Sequence, residues 1–156
     1  MKKNCILFLL LLFFGLAGQP PSSYFGKFGG PGDDIGYSAK QTFNGNYIVA
    51  GSSTSNGNGT ELYLVKIDSM AAGLWEKYYG GNGSEVGKSV IQLPDSGYVV
   101  AGFTDSFGAG GYDAYLIRVD KNGSLIWQRT FGGTDWDFAN DLVLAPDGNL
   151  FVVGST

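Results

Sequence analysis

The chain contains no histidine, and its single cysteine is Cys5. The first absence removes the commonest general base, the commonest transition-metal ligand and any Ser-His-Asp triad within these 156 residues. The second rules out an internal disulfide, so packing alone must hold the fold. Charge is scarce too, with 10 Lys and Arg against 14 Asp and Glu. No basic stripe exists, which excludes nucleic acid as a natural partner. Nowhere does the sequence sustain a helical period. What is abundant is glycine, 26 residues, and aromatic side chains, 15 % of the chain. That mixture predicts many short strands joined by tight turns.

The first residues read differently from the rest. Met1-Lys2-Lys3-Asn4 is a short basic start, Cys5 to Phe14 is apolar throughout, and Gln19-Pro20-Pro21-Ser22-Ser23 is polar. This is the order of a secretory signal, with Gly15 and Ala17 at the positions before cleavage. The expectation is a signal peptide over residues 1–17 and a mature chain from Gly18. The apolar run falls short of the ~20 residues a membrane span needs. Any contact with a membrane is therefore expected only through this signal. Cys5 leaves with it, so an oxidising compartment is harmless to the mature chain. Eight basic and fourteen acidic residues remain. The expected location is extracellular, periplasmic or at the cell surface.

From residue 23 onward the chain repeats. Phe28-Gly29-Gly30, Tyr79-Gly80-Gly81 and Phe131-Gly132-Gly133 recur, each preceded four positions earlier by Tyr24, Trp75 or Trp127. Tyr47-Ile48-Val49-Ala50-Gly51, Tyr98-Val99-Val100-Ala101-Gly102 and Leu150-Phe151-Val152-Val153-Gly154 align without a gap. Each unit is about 51 residues, counted from one aromatic-Gly-Gly to the next. It divides into four predicted strands: A over Tyr37–Thr42, B over Tyr47–Ser52, C over Leu62–Ile67 and D over Leu74–Tyr79. Asn, Asp and Gly in the A–B and C–D links supply the positive φ that hairpins need. Strand B is apolar on both faces, and strand D alternates as an outer strand does. A four-stranded meander of this length is a propeller blade. The predicted fold is all-β, a partial β-propeller of about 2.5 blades. Its parts are a lone D strand over 23–28, blades over 34–79 and 85–131, and a half blade over 137–156. Closed rings have about four to eight blades. Fewer are present here. The expectation is a reading frame truncated after Thr156, or copies that associate through open blade edges.

The pattern Gly-Gly-x-Gly-Asp-Asp-x-Gly-Tyr-Ser, followed by Tyr-Ile-Val-Ala-Gly, then Asp-Ala-Tyr-Leu-Ile-Arg-Val-Asp, Trp and Phe-Gly-Gly, resembles the secreted bacterial and archaeal β-propeller repeats. These are also called SBBP-type or delta-60-like repeats. The resemblance covers residues 24–156. It implies a scaffold or binding role in large surface proteins and supplies no catalytic residues. The kelch propeller shares Gly-Gly and spaced aromatics, but its pattern fits the acidic loop poorly.

Three groups of residues could carry chemistry. Gly29-Gly30-Pro31-Gly32-Asp33-Asp34 resembles the opening of a calcium-binding β-roll repeat. One loop supplies only Asp33 and Asp34, whereas calcium wants six to eight oxygens. A carboxylate closing its own turn is the favoured reading. Next, Asp34, Glu85 and Asp137 in D–A loops, with Glu61 and Asp113 closing B–C loops, are expected to ring one face. Paired carboxylates can hydrolyse glycosides. Catalysis, however, needs two different environments, and acids repeated in every blade look architectural. Last, Phe107 and Tyr112 in a B–C loop and Trp136 in a D–A loop could stack on sugars; Tyr112 could equally tuck against its own blade, and for Trp136, which departs from the repeat, packing against the neighbouring loop is the favoured reading. The sequence thus predicts a non-catalytic exported scaffold for cell-surface protein or carbohydrate recognition, needing no cofactor. The alternative is a fragment of a carbohydrate-active enzyme whose catalytic residues lie in missing blades.

Overall fold

The computed structural model describes residues 7–12, 23–57 and 59–156. Among these there is no helix. Strands β1 (Leu7–Leu12) and β2 (Ser23–Phe28) form an antiparallel pair. The first complete blade follows: β3 (Asp34–Gln41), β4 (Tyr47–Ser53), β5 (Glu61–Ile67) and β6 (Gly73–Tyr79). The second blade is β7 (Glu85–Gln92), β8 (Tyr98–Thr104), β9 (Asp113–Val119) and β10 (Leu125–Phe131). The chain continues into β11 (Phe138–Leu144) and β12 (Leu150–Ser155), paired with each other. Each sheet is a meander in sequence order, as propeller blades are. The all-β, partial-propeller prediction therefore holds.

Two details differ from the expectation. The A strands begin earlier than Tyr37 and its counterparts, because Asp34, Ile35 and Gly36 already pair with Ser53, Ser52 and Gly51. Residues 23–28 do not stand alone. They pair with Leu7–Leu12, Phe28 opposite Leu7 and Tyr24 opposite Leu11. An edge strand leaves unmet N–H and C=O groups, and the apolar run supplies partners for one side of it. The expected cleavage point after Ala17 lies outside the described residues.

Every A–B pair carries a bulge at the same place, between Gly36 and Ser38, Gly87 and Ser89, and Ala139 and Asp141. The bulge drives an A-strand carbonyl towards strand B. A Cβ on Gly51, Gly102 or Gly154 would collide with the carbonyl oxygen of Ile35, Val86 or Phe138. This close approach explains why each B strand reads apolar-apolar-Gly.

The core lies between blades, not within one. Ile48, Ala50, Leu62, Leu64 and Tyr79 of the first blade meet Val90, Tyr98, Val100, Tyr115, Ile117 and Val119 of the second. Tyr63, Tyr98 and Tyr115 are the largest fully buried side chains. Each large apolar side chain removed from water contributes about 1.5–3 kcal/mol. Trp75 packs edge-on against Tyr98 at 6.2 Å between ring centres. On the other side of the first blade, Phe28 of β2 packs with Val49, Tyr63, Val65 and Ile67. Backbone bonds stitch the seams at one rim. The Glu85 N–H donates to the Thr60 carbonyl at 2.7 Å, and the Asp137 N–H to the Tyr112 carbonyl at 2.6 Å.

Candidate functional site

The rim where D–A and B–C loops meet holds all five acids singled out in the sequence. The loops touch within each blade. The Gly30 and Gly32 N–H groups both donate to Ser55 Oγ, at 3.1 and 3.0 Å. The Gly83 N–H donates to Ser106 Oγ at 2.8 Å in the second blade. The repeat thus builds the same loop pair twice.

Most of these acids are not displayed to solvent. Asp34, Glu61, Glu85 and Asp113 are buried, and Asp137 is half-buried. Asp34 accepts the Gly30 N–H at 3.0 Å and the Ser55 hydroxyl at 3.0 Å. Glu85 accepts the Gly81 N–H at 2.9 Å and the Thr104 hydroxyl at 2.6 Å. Asp113 accepts the Ala109 N–H at 3.0 Å, and Asp137 the Gly133 N–H at 2.8 Å. Glu61 takes only a long bond from Asn56, 3.4 Å, and its Oε2 has no partner. The carboxylates of Asp34, Glu85, Asp113 and Asp137 curl back over their own loops and close the turns by accepting backbone N–H groups. The Gly-Gly motif follows from this. A Cβ on Gly132 would collide with the carboxylates of both Asp113 and Asp137. Asp33 is exposed while Asp34 is buried. Among the described residues, no group of three or more His, Cys, Asp or Glu is placed to hold a metal.

Hydrogen bonding reinforces the anionic form of Asp137. The Thr156 hydroxyl and then the Gly133 N–H hold the Asp137 carboxyl below its ordinary range. A lowered value keeps Asp137 anionic at neutral pH.

The aromatic candidates divide. Phe107 stacks on Tyr115, 5.8 Å between centres, and joins the core of the first seam. Tyr112 and Trp136 come together instead, 5.4 Å apart and edge to face. Phe103 and Phe138, which the sequence reading passed over, complete the group. Phe103 lies 5.2 Å from Tyr112 and 4.9 Å from Phe138, and Trp136 lies 6.2 Å from Phe138. Trp136 remains 62 % exposed. The corresponding positions of the first seam are Ser52, Thr60, Ser84 and Val86. Four small side chains at one seam thus become four aromatic rings at the next. Phe103 in place of Ser52 was the signal that could have revealed the cluster.

Residues 93–125 match a family model described as a domain of unknown function, DUF5122, beta-propeller. The match runs from the end of β7 to the start of β10. A search of curated proteins returned no match. The fold and this match together define a β-propeller repeat protein.

Proposed function

We propose that the chain is a non-catalytic binding scaffold whose ligand seats on the loop rim of the second seam. The observation that carries this reading is the break in repeat symmetry at Phe103, Tyr112, Trp136 and Phe138. A repeat departs from its own pattern where packing alone does not set the residue. Here the departure leaves a large ring exposed, and exposed aromatic area is a marker of recognition surfaces. The favoured ligand is carbohydrate at a cell surface. A sugar ring stacks on Trp136, and the half-buried carboxylate of Asp137 accepts hydrogen bonds from its hydroxyls. The basic start and apolar run at the N-terminus support an exported protein. The repeat-conserving burial of Asp34, Glu61, Glu85 and Asp113 supports a structural role for those acids.

The test is a glycan array followed by titration of any glycan retained. Binding without turnover, weakened at least tenfold by Trp136→Ala, is the expected result. Hydrolysis of a bound glycan, or retention that Trp136→Ala leaves unchanged, would overturn the reading.

A further inference from the structure

Three stretches of the chain have the form Asn-x-Ser/Thr: Asn58-Gly59-Thr60, Asn82-Gly83-Ser84 and Asn122-Gly123-Ser124. That spacing, a hydroxyl two residues beyond an amide, is the acceptor pattern for N-linked glycans. Asn58 lies outside the described residues. The fold holds the other two differently.

Asn122-Gly123-Ser124 forms the turn between β9 and β10. Asn122 and Ser124 are exposed, and Gly123 between them is buried. The Asp120 carboxylate accepts the Asn122 N–H at 2.8 Å and the Ser124 N–H at 2.7 Å, and it also bonds the Ser124 hydroxyl. The first blade builds the same turn without either residue. There the Asp68 carboxylate accepts the N–H groups of Met70 and Ala72 at 2.9 and 2.8 Å, and Ala71 takes a positive φ as Gly123 does. Met70 and Ala72 stand where Asn122 and Ser124 stand. The turn therefore uses the backbone at these positions and requires neither side chain. The Asn122 amide and the Ser124 hydroxyl are additions to a turn that closes without them.

Asn82-Gly83-Ser84 is woven into the stitched rim. The Gly83 N–H donates to Ser106 Oγ at 2.8 Å, the Gly83 carbonyl accepts the Thr60 N–H at 3.3 Å, and the Ser84 carbonyl accepts the Asp105 N–H at 3.1 Å. A transferase has to draw the acceptor segment into its own groove. Drawing out residues 82–84 breaks bonds to the B–C loops of both blades. Drawing out residues 122–124 breaks bonds within one hairpin turn and one bond from Tyr79.

We propose that Asn122 is the site of N-linked glycosylation in the exported chain. The donor is an oligosaccharide carried on a polyprenyl pyrophosphate. Asn122 Nδ2 bonds to the anomeric carbon, and the bond from that carbon to the pyrophosphate oxygen breaks. The lipid pyrophosphate leaves with the electron pair, and Nδ2 releases one proton. The inference rests on the export part of the proposed function, since this modification belongs to secreted chains. The seven residues of β10, about 20 Å of strand, separate the turn from the D–A loop that carries Trp136, so a glycan on Asn122 leaves that ring open.

The test mixes the purified full chain with a detergent-solubilised oligosaccharyltransferase of Asn-x-Ser/Thr specificity and its lipid-linked donor. This reaction needs no export. Peptide mapping should find a glycan on Asn122 at a level at least tenfold above Asn82. Asn122→Gln and Ser124→Ala should abolish transfer at this turn, and Ser124→Thr should keep it. All three substitutions leave the backbone bonds of the turn in place, so the melting temperature should hold while transfer changes. Asn122 left bare when a synthetic acceptor peptide is modified in the same mixture would overturn the proposal. So would transfer indifferent to Ser124→Ala, or a preference for Asn82. Transfer to a chain that an expressing cell retains in its cytoplasm would strike the export reading and uphold the acceptor.

Discussion

The Tyr79 hydroxyl, at the end of the first blade's outer strand, donates to the Gly123 carbonyl in the second blade's last turn, 2.6 Å away. One hydrogen bond therefore crosses the seam far from the stitched rim. Burial first, and the nearby Asp120 charge second, push the phenol well above its ordinary value of 10.0 and keep it a donor. Tyr79→Phe keeps the ring and orphans the carbonyl. The expected loss is about 1–2 kcal/mol by denaturant titration. Phe131 occupies the same place in the second blade, so the ring alone is tolerated there.

Burial also raises Tyr63, which donates to the Glu76 carboxylate, and Tyr115, which donates to Gln128. Unfolded, Tyr63, Tyr79 and Tyr115 ionise near 10, and in the folded chain all three are pushed well above that value. Stability from these groups is complete below pH 10 and is lost as pH rises beyond it. Tyrosinate absorbance should therefore appear together with loss of strand signal. Smooth titration of all nine tyrosines in a folded chain would contradict this.

At acid pH the sign reverses. Backbone N–H groups of Ser124, then of Asn122, hold Asp120 below its ordinary 3.8, and Ser89 and then Leu142 do the same for Asp141. Their stabilisation is present above pH 3.8 and disappears as pH falls through the lowered values. Asp120→Asn should flatten the acid limb of a melting-temperature profile. An unchanged acid limb would remove Asp120 from the account.

Glu85 is fully buried between Gly81 and Thr104. Glu85→Ala removes the acceptor of both donors and leaves a void behind, and should cost about 2–4 kcal/mol. Glu85→Gln should cost less, since the amide oxygen still accepts one bond. Millimolar calcium should move the wild-type melting temperature by no more than about one degree, because the carboxylates of Asp34, Glu85, Asp113 and Asp137 already have partners. A rise of several degrees would bring back a metal at this rim.

Gly102 tests the bulge. A methyl group there meets the Val86 carbonyl. Gly102→Ala should cost more than about 3 kcal/mol, at or beyond the upper end of ordinary overpacking, because backbone must move. A melting temperature near wild type would mean the bulge relaxes freely.

The strands were legible because each repeat states its period three times and its turns carry Asn, Asp and Gly. Asp34 and its counterparts were legible as turn-closers, since a carboxylate four residues beyond Gly30 reaches back to its N–H. Their burial was less visible. It depends on Ser55, from the B–C loop, and Thr104, at the end of β8, whose hydroxyls meet the carboxylates only once the blade is folded. Phe107 looked like Tyr112 in sequence, yet one ring turned into the core and the other towards Trp136. The pairing of Leu7–Leu12 with β2 was hidden too, because an apolar run has no period that separates a strand from an export signal.

The stitched rim also sets how the array bears load. Each seam joins adjacent sheets, through backbone bonds such as Glu85 to Thr60 and Asp137 to Tyr112 and, at the first seam, a core of interlocked aliphatic and tyrosine side chains. Units that touch only their neighbours share no long-range stiffness. Tension applied at the two ends would concentrate on one seam, release it, and pass to the next. A force–extension trace would then show separate peaks, one of them from release of the seam closed by Tyr98 and Tyr115.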